Sequence, residues 1–163
     1  MTLDPKVMEA IGARMAQSTP QAAALNIRLV SVEPGVAAMA VPWSAELVGD
    51  PATGVMAGGV ITTLLDQVCG LAVSSLAMAT GAAAEFGIAT LDLRIDYMRS
   101  AEPGREVIAL ARCYRMTKSV AFVRAAAFED EEANPVATVQ ATFTFNRPSQ
   151  SPSQPSGQPG AAA

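Results

Sequence analysis

The fold is decided by one stretch of the chain, GGVITTLLDQVCGLAVSSLAMA, which runs from Gly58 to Ala79. It contains no proline and is apolar around nearly the whole circumference of a helix. Its polar interruptions are Thr62, Thr63, Asp66, Gln67, Ser74 and Ser75. A helix that is apolar on all sides is a buried one. The stretch therefore predicts one long central helix around which the other elements pack.

The length of this helix also raises the alternative of a membrane span, which needs about 20 predominantly apolar residues. Asp66 and Gln67 lie well inside the window, and no basic flank follows it. Charged residues inside a span are costly, and the rest of the chain has the pattern of strands. We favour a core helix and expect no membrane partner.

The segments on either side of the central helix are shorter. Residues 5–17 carry apolar side chains at helical spacing, and the turn signal Glu33-Pro34-Gly35 separates two β-prone runs at 25–32 and 36–41. Residues 42–56 are rich in Gly, Pro and Asp and predict a loop. Four strand-like segments follow the helix, at 86–98, 106–116, 120–129 and 135–145.

The first of these four segments alternates strictly, which places Leu91, Leu93, Ile95 and Tyr97 on one face of a half-buried antiparallel strand. The order of elements predicts an α+β domain in which an antiparallel sheet wraps around one long central helix. A single helix cannot cover both faces of such a sheet. We therefore expect the chain to form a homo-oligomer, either a dimer or a dimer of dimers.

Composition divides the chain into three parts. Residues 1–21 are a helical segment, residues 22–146 form the domain, and residues 147–163 are Pro, Ser, Gln, Gly and Ala with almost no large apolar side chain. Such a tail cannot bury enough surface to order itself, so we predict that it is disordered.

Several function classes are excluded by what the composition lacks. The chain has no histidine, which removes Ser-His and Cys-His pairs and histidine-based metal sites, and we expect no metal and no cofactor. A net charge of −4 gives no footprint for nucleic acid. Cys69 and Cys113 lie in apolar stretches without CxxC spacing, so we interpret them as buried free thiols. Together with an N-terminus unlike a signal peptide, this favours a cytoplasmic protein.

One motif carries a resemblance to a known family. The stretch Gly54-Val55-Met56-Ala57-Gly58-Gly59-Val60-Ile61-Thr62-Thr63-Leu64-Leu65-Asp66 resembles the signature of hotdog-fold acyl-CoA thioesterases related to phenylacetate degradation. In that signature, His-Gly-Gly opens the central helix and an acidic residue follows. Residues 90–101 and 136–145 also resemble that family's later segments, and the resemblance covers roughly residues 22–146.

The resemblance implies a hotdog fold, hydrolysis of an acyl-CoA thioester to the free acid and CoA, and a set of catalytic residues. Asp66 matches the family's general base or nucleophile, and Gly58 matches the residue whose backbone N–H binds the thioester carbonyl. Thr90 is the nearest match to a hydroxyl that places water. Strict alternation puts Thr90 on the face opposite Leu91, so its reaching the site requires a strand end or a bulge.

The chain departs from the family pattern at two positions. Ala57 stands where the family usually has histidine, and an asparagine often found upstream is best matched by Asp50 or Pro51. Ala57, Asp50 and Gln67 are therefore candidates for substrate contact rather than for carbonyl polarisation by a side chain.

The residue types of the motif suit this chemistry on physical grounds as well. The first-turn N–H groups of Gly58 and Gly59 have no intrahelical partner and lie at the positive end of the helix dipole. The alternative is that both glycines merely permit close packing of the helix. An unpaired carboxylate such as Asp66 is costly in a buried helix, which favours a functional role over a structural bond to Thr62, Thr63 or backbone.

The spacing within the helix makes a sharper prediction. Gly58 and Asp66 are eight residues apart, which separates them by about 12 Å along a straight helix. One thioester carbonyl cannot contact both, so the two must come from different chains. We therefore predict two antiparallel central helices at a two-fold interface, with dimerisation required for catalysis.

Substrate recognition calls for basic residues beside a narrow apolar slot, because CoA carries phosphates and a thin pantetheine arm. Arg99, Arg115 and Lys118, near strand ends and turns, are the candidates; each could equally serve only to solubilise the surface. Two other function classes stay open. A non-catalytic hotdog module that binds acyl-CoA or acts in assembly is favoured by Ala57, whereas a hotdog hydratase normally relies on a histidine.

Overall fold

The structure, a computed structural model, describes residues 5–81 and 87–146. Its helices are α1 (Pro5–Ala16), α2 (Pro20–Ala24) and α3 (Gly58–Ala79). Its strands are β1 (Arg28–Glu33), β2 (Val36–Val41), β3 (Val48–Asp50), β4 (Val55–Met56), β5 (Gly87–Tyr97), β6 (Val107–Met116), β7 (Val120–Phe128) and β8 (Ala137–Asn146). The first four residues, the connection at 82–86 and the predicted tail at 147–163 lie outside the described residues.

Six of the strands form one antiparallel sheet in the order β1-β2-β6-β7-β8-β5. The long helix α3 packs against this sheet, with its contacts concentrated on β6, β2 and β7. Small side chains on the inner face of the sheet, such as Ala111, Ala121 and Ala125, let the large residues of α3 approach closely. The expected α+β arrangement, a sheet wrapped around one central helix, is confirmed.

The interior of the domain explains why α3 is so apolar. Leu64, Leu65 and Val68 are fully buried between the helix and the sheet. By length and composition α3 could cross a membrane, but 67% of its most apolar window is buried within the domain. Burial of this kind is what a core helix requires.

Three details near the N-terminus of the domain differ from the sequence-based prediction. The strand predicted from residue 25 begins at Arg28, because the short helix α2 occupies Pro20–Ala24 and Asn26 turns the chain with a φ of 53°. The loop predicted over 42–56 contains the two-stranded ribbon of β3 and β4 as well as a 3-10 turn, Ala45–Leu47.

The helix α3 is not buried around its whole circumference, which corrects the expectation above. Gly58 and Gly59 are exposed at its first turn, and one continuous strip of its surface stays partly exposed. This open stripe consists of Gly58, Gly59, Thr62, Thr63, Asp66, Gln67 and Gly70. The polar residues that interrupt the apolar sequence are thus largely gathered on one side of the helix.

The alternation predicted for β5 is broken by a bulge. Thr90 pairs with Phe143 and Asp92 pairs with Thr142, which leaves Leu91 as an extra residue without a partner on β8. Leu91 is 59% exposed, whereas Leu93 and Ile95 pack against the core. The prediction that Leu91 shares their face was therefore wrong, because a bulge inserts one residue and shifts the alternation.

Candidate active site

The carboxylate of Asp66 lies in the open stripe, midway along α3, and is bound by a hydroxyl of the sheet. Thr90 Oγ1 donates a hydrogen bond of 2.9 Å to Asp66 Oδ1. The bulge after Thr90 is the feature that the sequence analysis required for this contact. Asp66 and Thr90, two of the residues that the sequence singles out, are therefore in direct contact.

A cavity of about 330 Å³ opens beside this pair. Asp66, Gln67, Thr90 and two serines, Ser18 and Ser74, contribute the polar part of its lining, and apolar side chains supply much of the remainder. The apolar residues come from five separate elements, α1, β2, α3, β5 and β8, and are Met15, Met39, Leu71, Ile88 and Phe143. A cavity with a few polar groups on an apolar wall is the usual form of a small-molecule site.

The second predicted element of the site is the first turn of α3. Ala57 caps the helix in an extended conformation and makes no side-chain hydrogen bond to it. Its backbone is nevertheless fixed, because its N–H donates to Leu47 O at 2.8 Å and its carbonyl accepts from Val60 N at 3.0 Å. The N–H groups of Gly58 and Gly59 therefore stand at a well-anchored helix start, where an α-helix offers them no acceptor.

Two hydroxyls that the sequence analysis did not assign to the site converge on this turn. Tyr97 Oη donates to Gly58 O at 2.8 Å, and Thr62 Oγ1 lies within hydrogen-bond distance of the same carbonyl oxygen, at 3.1 Å. The two hydroxyl oxygens also lie 2.8 Å apart. The strict alternation of β5 was the only available signal for Tyr97, since helix-to-strand register cannot be read from one sequence.

A separate cavity of about 380 Å³ lies at this end of the helix, lined by Gly58, Tyr97, Met98, Arg99 and neighbouring residues. Gly58 does not line the cavity at Asp66, and Asp66 does not line the cavity at Gly58. Within one chain, the two ends of the predicted site thus open into different spaces, as the rise of α3 requires.

Two further candidates are placed differently from each other. Gln67 lines the cavity beside Asp66. Asp50 is exposed and shapes its own loop, because its Oδ1 accepts from Ala52 N at 3.0 Å and its carbonyl accepts from Thr53 N and Gly54 N. Its carboxylate is therefore engaged in a turn rather than with the helix start.

The three basic candidates lie at two places. Arg99 lines the cavity at Gly58, but its guanidinium forms a bidentate ion pair with the buried Glu129 and also binds the side chain and carbonyl of Asn134. Arg115 and Lys118 are exposed at the end of β6 and in the turn before β7. The structure does not bring these three residues together.

The two cysteines are free thiols, Cys69 buried and Cys113 half-buried. Burial, with a smaller contribution from the negative charge of Asp66, raises the pKa of the Cys69 thiol far above its ordinary value. A thiol in that state is a poor nucleophile. Within residues 5–81 and 87–146, no group of three or more Cys, Asp or Glu side chains could hold a metal ion.

Comparisons of the sequence and of the structure with known proteins point to the same family. A family model described as the thioesterase superfamily matches residues 53–136. No curated protein sequence matches the chain. A solved structure of a Pseudomonas aeruginosa protein is similar at 33% identity and a TM-score of 0.70, over 84% of this chain and 98% of that one.

Two proteins of phenylacetic acid degradation are also similar in structure. A mutant of PaaI from Thermus thermophilus is 25% identical, with a TM-score of 0.65 over 77% of this chain and 98% of that one. PaaI from Escherichia coli, at 17% identity, shares the fold with a TM-score of 0.73 over 88% of this chain and 96% of that one. The fold, the motif at the start of α3 and the family match agree, and the chain belongs to the thioesterase superfamily as a hotdog-fold member.

Proposed function

We propose that this thioester hydrolase acts on acyl-CoA, with Asp66 as general base or nucleophile. The observation that carries the proposal is the position of Asp66. Its carboxylate lies on the open stripe of α3, is held by Thr90 and faces a cavity with apolar walls. Among the described residues lining that cavity, Asp66 is the one ionisable side chain.

The chemistry needs a base or nucleophile together with a site for developing negative charge. Asp66 either takes a proton from water as its oxygen attacks the thioester carbonyl, or attacks that carbon itself to give an anhydride that water then opens. In both routes the carbon–sulfur bond breaks, the CoA thiolate leaves and takes up a proton, and the free acid remains. The carbonyl oxygen carries negative charge in the transition state and needs preorganised N–H donors.

Those donors are proposed to be the N–H groups of Gly58 and Gly59 of a partner subunit. Asp66 and Gly58 are separated by about 12 Å along α3 and line different cavities, so one chain does not offer both to a single carbonyl. Two antiparallel copies of α3 would bring the Asp66 of one chain opposite the Gly58 of the other.

Two unpartnered features of the chain support this pairing. The strand β5 is an edge of the sheet over its 11 residues, and long edge strands offer a template for another chain. The open stripe of α3 contains both Asp66 and Gly58. A two-fold axis near this edge would therefore cover both features at once.

The activity is tested by CoA release from short, medium and aromatic acyl-CoA thioesters. Wild type should release CoA with saturation, and Asp66→Asn, which keeps the size of the side chain, should lower kcat by at least about 100-fold. Glu131→Gln, an exposed carboxylate in the turn between β7 and β8, is the control and should retain activity. Absence of turnover in wild type with every thioester would refute the assignment.

The shared site is tested by subunit complementation. Gly58→Pro removes the N–H, and proline suits the first turn of a helix. Gly58→Ala is its control, because it keeps the N–H and its Cβ makes the same contact with Tyr97 Oη, at 3.2 Å, as the Cβ of proline. Each of Asp66→Asn and Gly58→Pro should be inactive alone. Co-expressed in equal amounts, they should recover about a quarter of wild-type activity, because half of the pairs are mixed and each mixed pair has one intact site. No recovery would place both residues in one chain's site.

A second candidate function is a non-catalytic module that binds acyl-CoA. Ala57 favours it, since its side chain offers no donor at the position where the family motif has histidine. Tight acyl-CoA binding without turnover would support this function. Ala57→His restores the family motif, and a gain of more than about tenfold in kcat would mean that the native site is limited by the missing donor. Ala57→Leu, which is close to histidine in volume but has no donor, serves as the control for side-chain volume.

A further inference from the structure

The hydrogen bonds of Tyr97 and Thr62 act on one peptide unit. Tyr97 Oη donates to Gly58 O at 2.8 Å, and Thr62 Oγ1, which lies 3.1 Å from the same carbonyl oxygen, shares a hydrogen bond of 2.8 Å with Tyr97 Oη. The carbonyl of Gly58 and the N–H of Gly59 belong to the same planar peptide group. A contact on that carbonyl therefore acts directly on the N–H at the other side of the bond.

A hydroxyl that donates to a carbonyl draws electron density toward the carbonyl oxygen and leaves the attached N–H a stronger donor, and a second hydroxyl bound to the first strengthens this effect. The N–H of Gly59 lies in the first turn of α3, where it has no intrahelical acceptor and forms part of the positive end of the helix dipole. The hydroxyl pair therefore strengthens a group that is free to bind a negative oxygen.

The space around the two glycines matches this arrangement. A Cβ on Gly58 would approach Tyr97 Oη to 3.2 Å, which is a tight contact, whereas a Cβ on Gly59 would meet no described atom within 4 Å apart from its chain neighbours and the nearby helix backbone. Tyr97 thus fixes one side of the peptide, and the side near Gly59 is open to a ligand. The same tyrosine lines the cavity at this end of the helix.

The bulge in β5 is what allows one strand to serve both ends of the site. Thr90 and Tyr97 are seven residues apart, and regular alternation would point them to opposite faces of the sheet. Because Leu91 is an extra residue, both side chains reach α3, Thr90 at Asp66 and Tyr97 at Gly58. Tyr97 is also 53% exposed, so core packing alone does not account for it.

We propose that Tyr97, assisted by Thr62, is a positioning residue that orients and polarises the Gly58–Gly59 peptide, so that Gly59 N–H joins Gly58 N–H in stabilising the oxyanion. This inference rests on the proposed function and extends it to two further residues, Tyr97 and Thr62. Tyr97 acts through the peptide and does not itself contact the reacting atoms.

The kinetic test compares the two tyrosines of the chain. Tyr97→Phe should lower kcat about tenfold, with KM within twofold of wild type, because only transition-state charge feels the loss. Tyr114→Phe is the control: Tyr114 is similarly exposed but contacts Arg124 and Phe122 instead of α3. Thr62→Val should also lower kcat, by a smaller factor than Tyr97→Phe. Equal kcat in Tyr97→Phe and wild type would overturn the proposal.

A spectroscopic test does not depend on turnover. With 15N-glycine labelling the chain gives 12 glycine amide signals, and Gly59→Ala identifies the signal of Gly59 by its loss. Tyr97→Phe should shift the Gly59 amide proton upfield as its polarisation is lost, and Tyr114→Phe should leave it in place. An unmoved signal, or a tyrosine variant that changes only thermal stability, would reduce Tyr97 to a structural tie between strand and helix.

The two proposals fail in distinguishable ways. If wild type turns over no thioester, the proposed function fails, while the amide shift still reports whether Tyr97 polarises the peptide. If wild type is active and Asp66→Asn is not, yet Tyr97→Phe keeps full kcat, only the role of Tyr97 is refuted.

Discussion

Thr90 Oγ1 donates a hydrogen bond of 2.9 Å to Asp66 Oδ1, which ties the catalytic candidate on the central helix to the edge strand of the sheet. The hydroxyl can fix the direction in which the carboxylate presents its second oxygen. Loss of such orientation can lower the reaction rate by up to about 100-fold. The contact exists because the bulge at Leu91 turns Thr90 toward α3.

We expect Thr90→Val, which keeps the shape of the side chain, to lower kcat for acyl-CoA hydrolysis by about 10- to 100-fold. Thr90→Ser retains the hydroxyl and should stay within about threefold of wild type. Thr138→Val on β8 is a control, since Thr138 lines a cavity that contains neither Asp66 nor Gly58. Full activity in Thr90→Val would show that the contact does not orient the base.

A second prediction concerns the buried hydroxyl of Ser75. Its Oγ accepts from Gly35 N at 3.0 Å and lies 2.9 Å from Glu33 O, which ties the β1–β2 turn to α3. Ser75→Ala leaves these buried backbone groups unsatisfied and should lower the free energy of unfolding by about 1–3 kcal/mol in urea denaturation. Ser74→Ala is the control: its Oγ donates to Gly70 O within its own helix, so the change should cost below about 0.5 kcal/mol.

The parts of the fold that could be predicted are those with a strong local pattern. The central helix was recognisable because its apolar residues cover nearly its whole circumference, and the predicted boundaries of β5 to β8 lie within two residues of the observed ones. The family motif singled out Asp66 as a candidate, whose role stays a prediction. The strict alternation of β5 implied that Thr90 could reach the site only through a strand end or a bulge, and the structure contains a bulge there. Local chemistry was sufficient for these features.

The parts that could not be predicted depend on tertiary register. Nothing in the sequence around Leu91 specifies a bulge. The bulge is defined by the pairing of β5 with β8, in which Leu91 has no partner. The contact between Tyr97 and Gly58 spans 39 residues and follows from how β5 crosses α3. The engagement of Arg99 by Glu129 likewise joins two loops whose proximity no single segment encodes.

A third prediction is that the two cysteine thiols take no part in catalysis. Since burial and the nearby charge of Asp66 raise the pKa of Cys69, iodoacetamide should alkylate the half-buried Cys113 first in the native protein, as followed by mass spectrometry. Cys69→Ala should keep kcat within about twofold of wild type and cost about 1 kcal/mol in stability, because it removes one buried sulfur. Loss of turnover in this variant would point to a thiol nucleophile instead of Asp66.

The last prediction concerns the ion pair beside the Gly58 cavity. Glu129 is buried, with 2% of its side chain exposed, and it accepts hydrogen bonds from Arg99 and from Glu102 N. Burial by itself would raise the pKa of Glu129, but the hydrogen bonds and positive charge of Arg99 outweigh it and hold that pKa below its ordinary value. Glu129→Gln should therefore lower the free energy of unfolding at neutral pH by about 3 kcal/mol, since the guanidinium of Arg99 loses its counterion.

The pH dependence of that loss has a definite sign. A carboxylate with a lowered folded-state pKa stabilises the fold above its unfolded pKa, near 4.5, and this stabilisation disappears as the pH falls through the folded value. The difference in unfolding free energy between wild type and Glu129→Gln should be full above about pH 5.5 and shrink in acid. Glu132→Gln, which breaks an exposed pair with Arg112, should cost less than about 1 kcal/mol. A difference for Glu129→Gln that stays constant from pH 7 to pH 3 would mean that packing, and not charge, holds this loop.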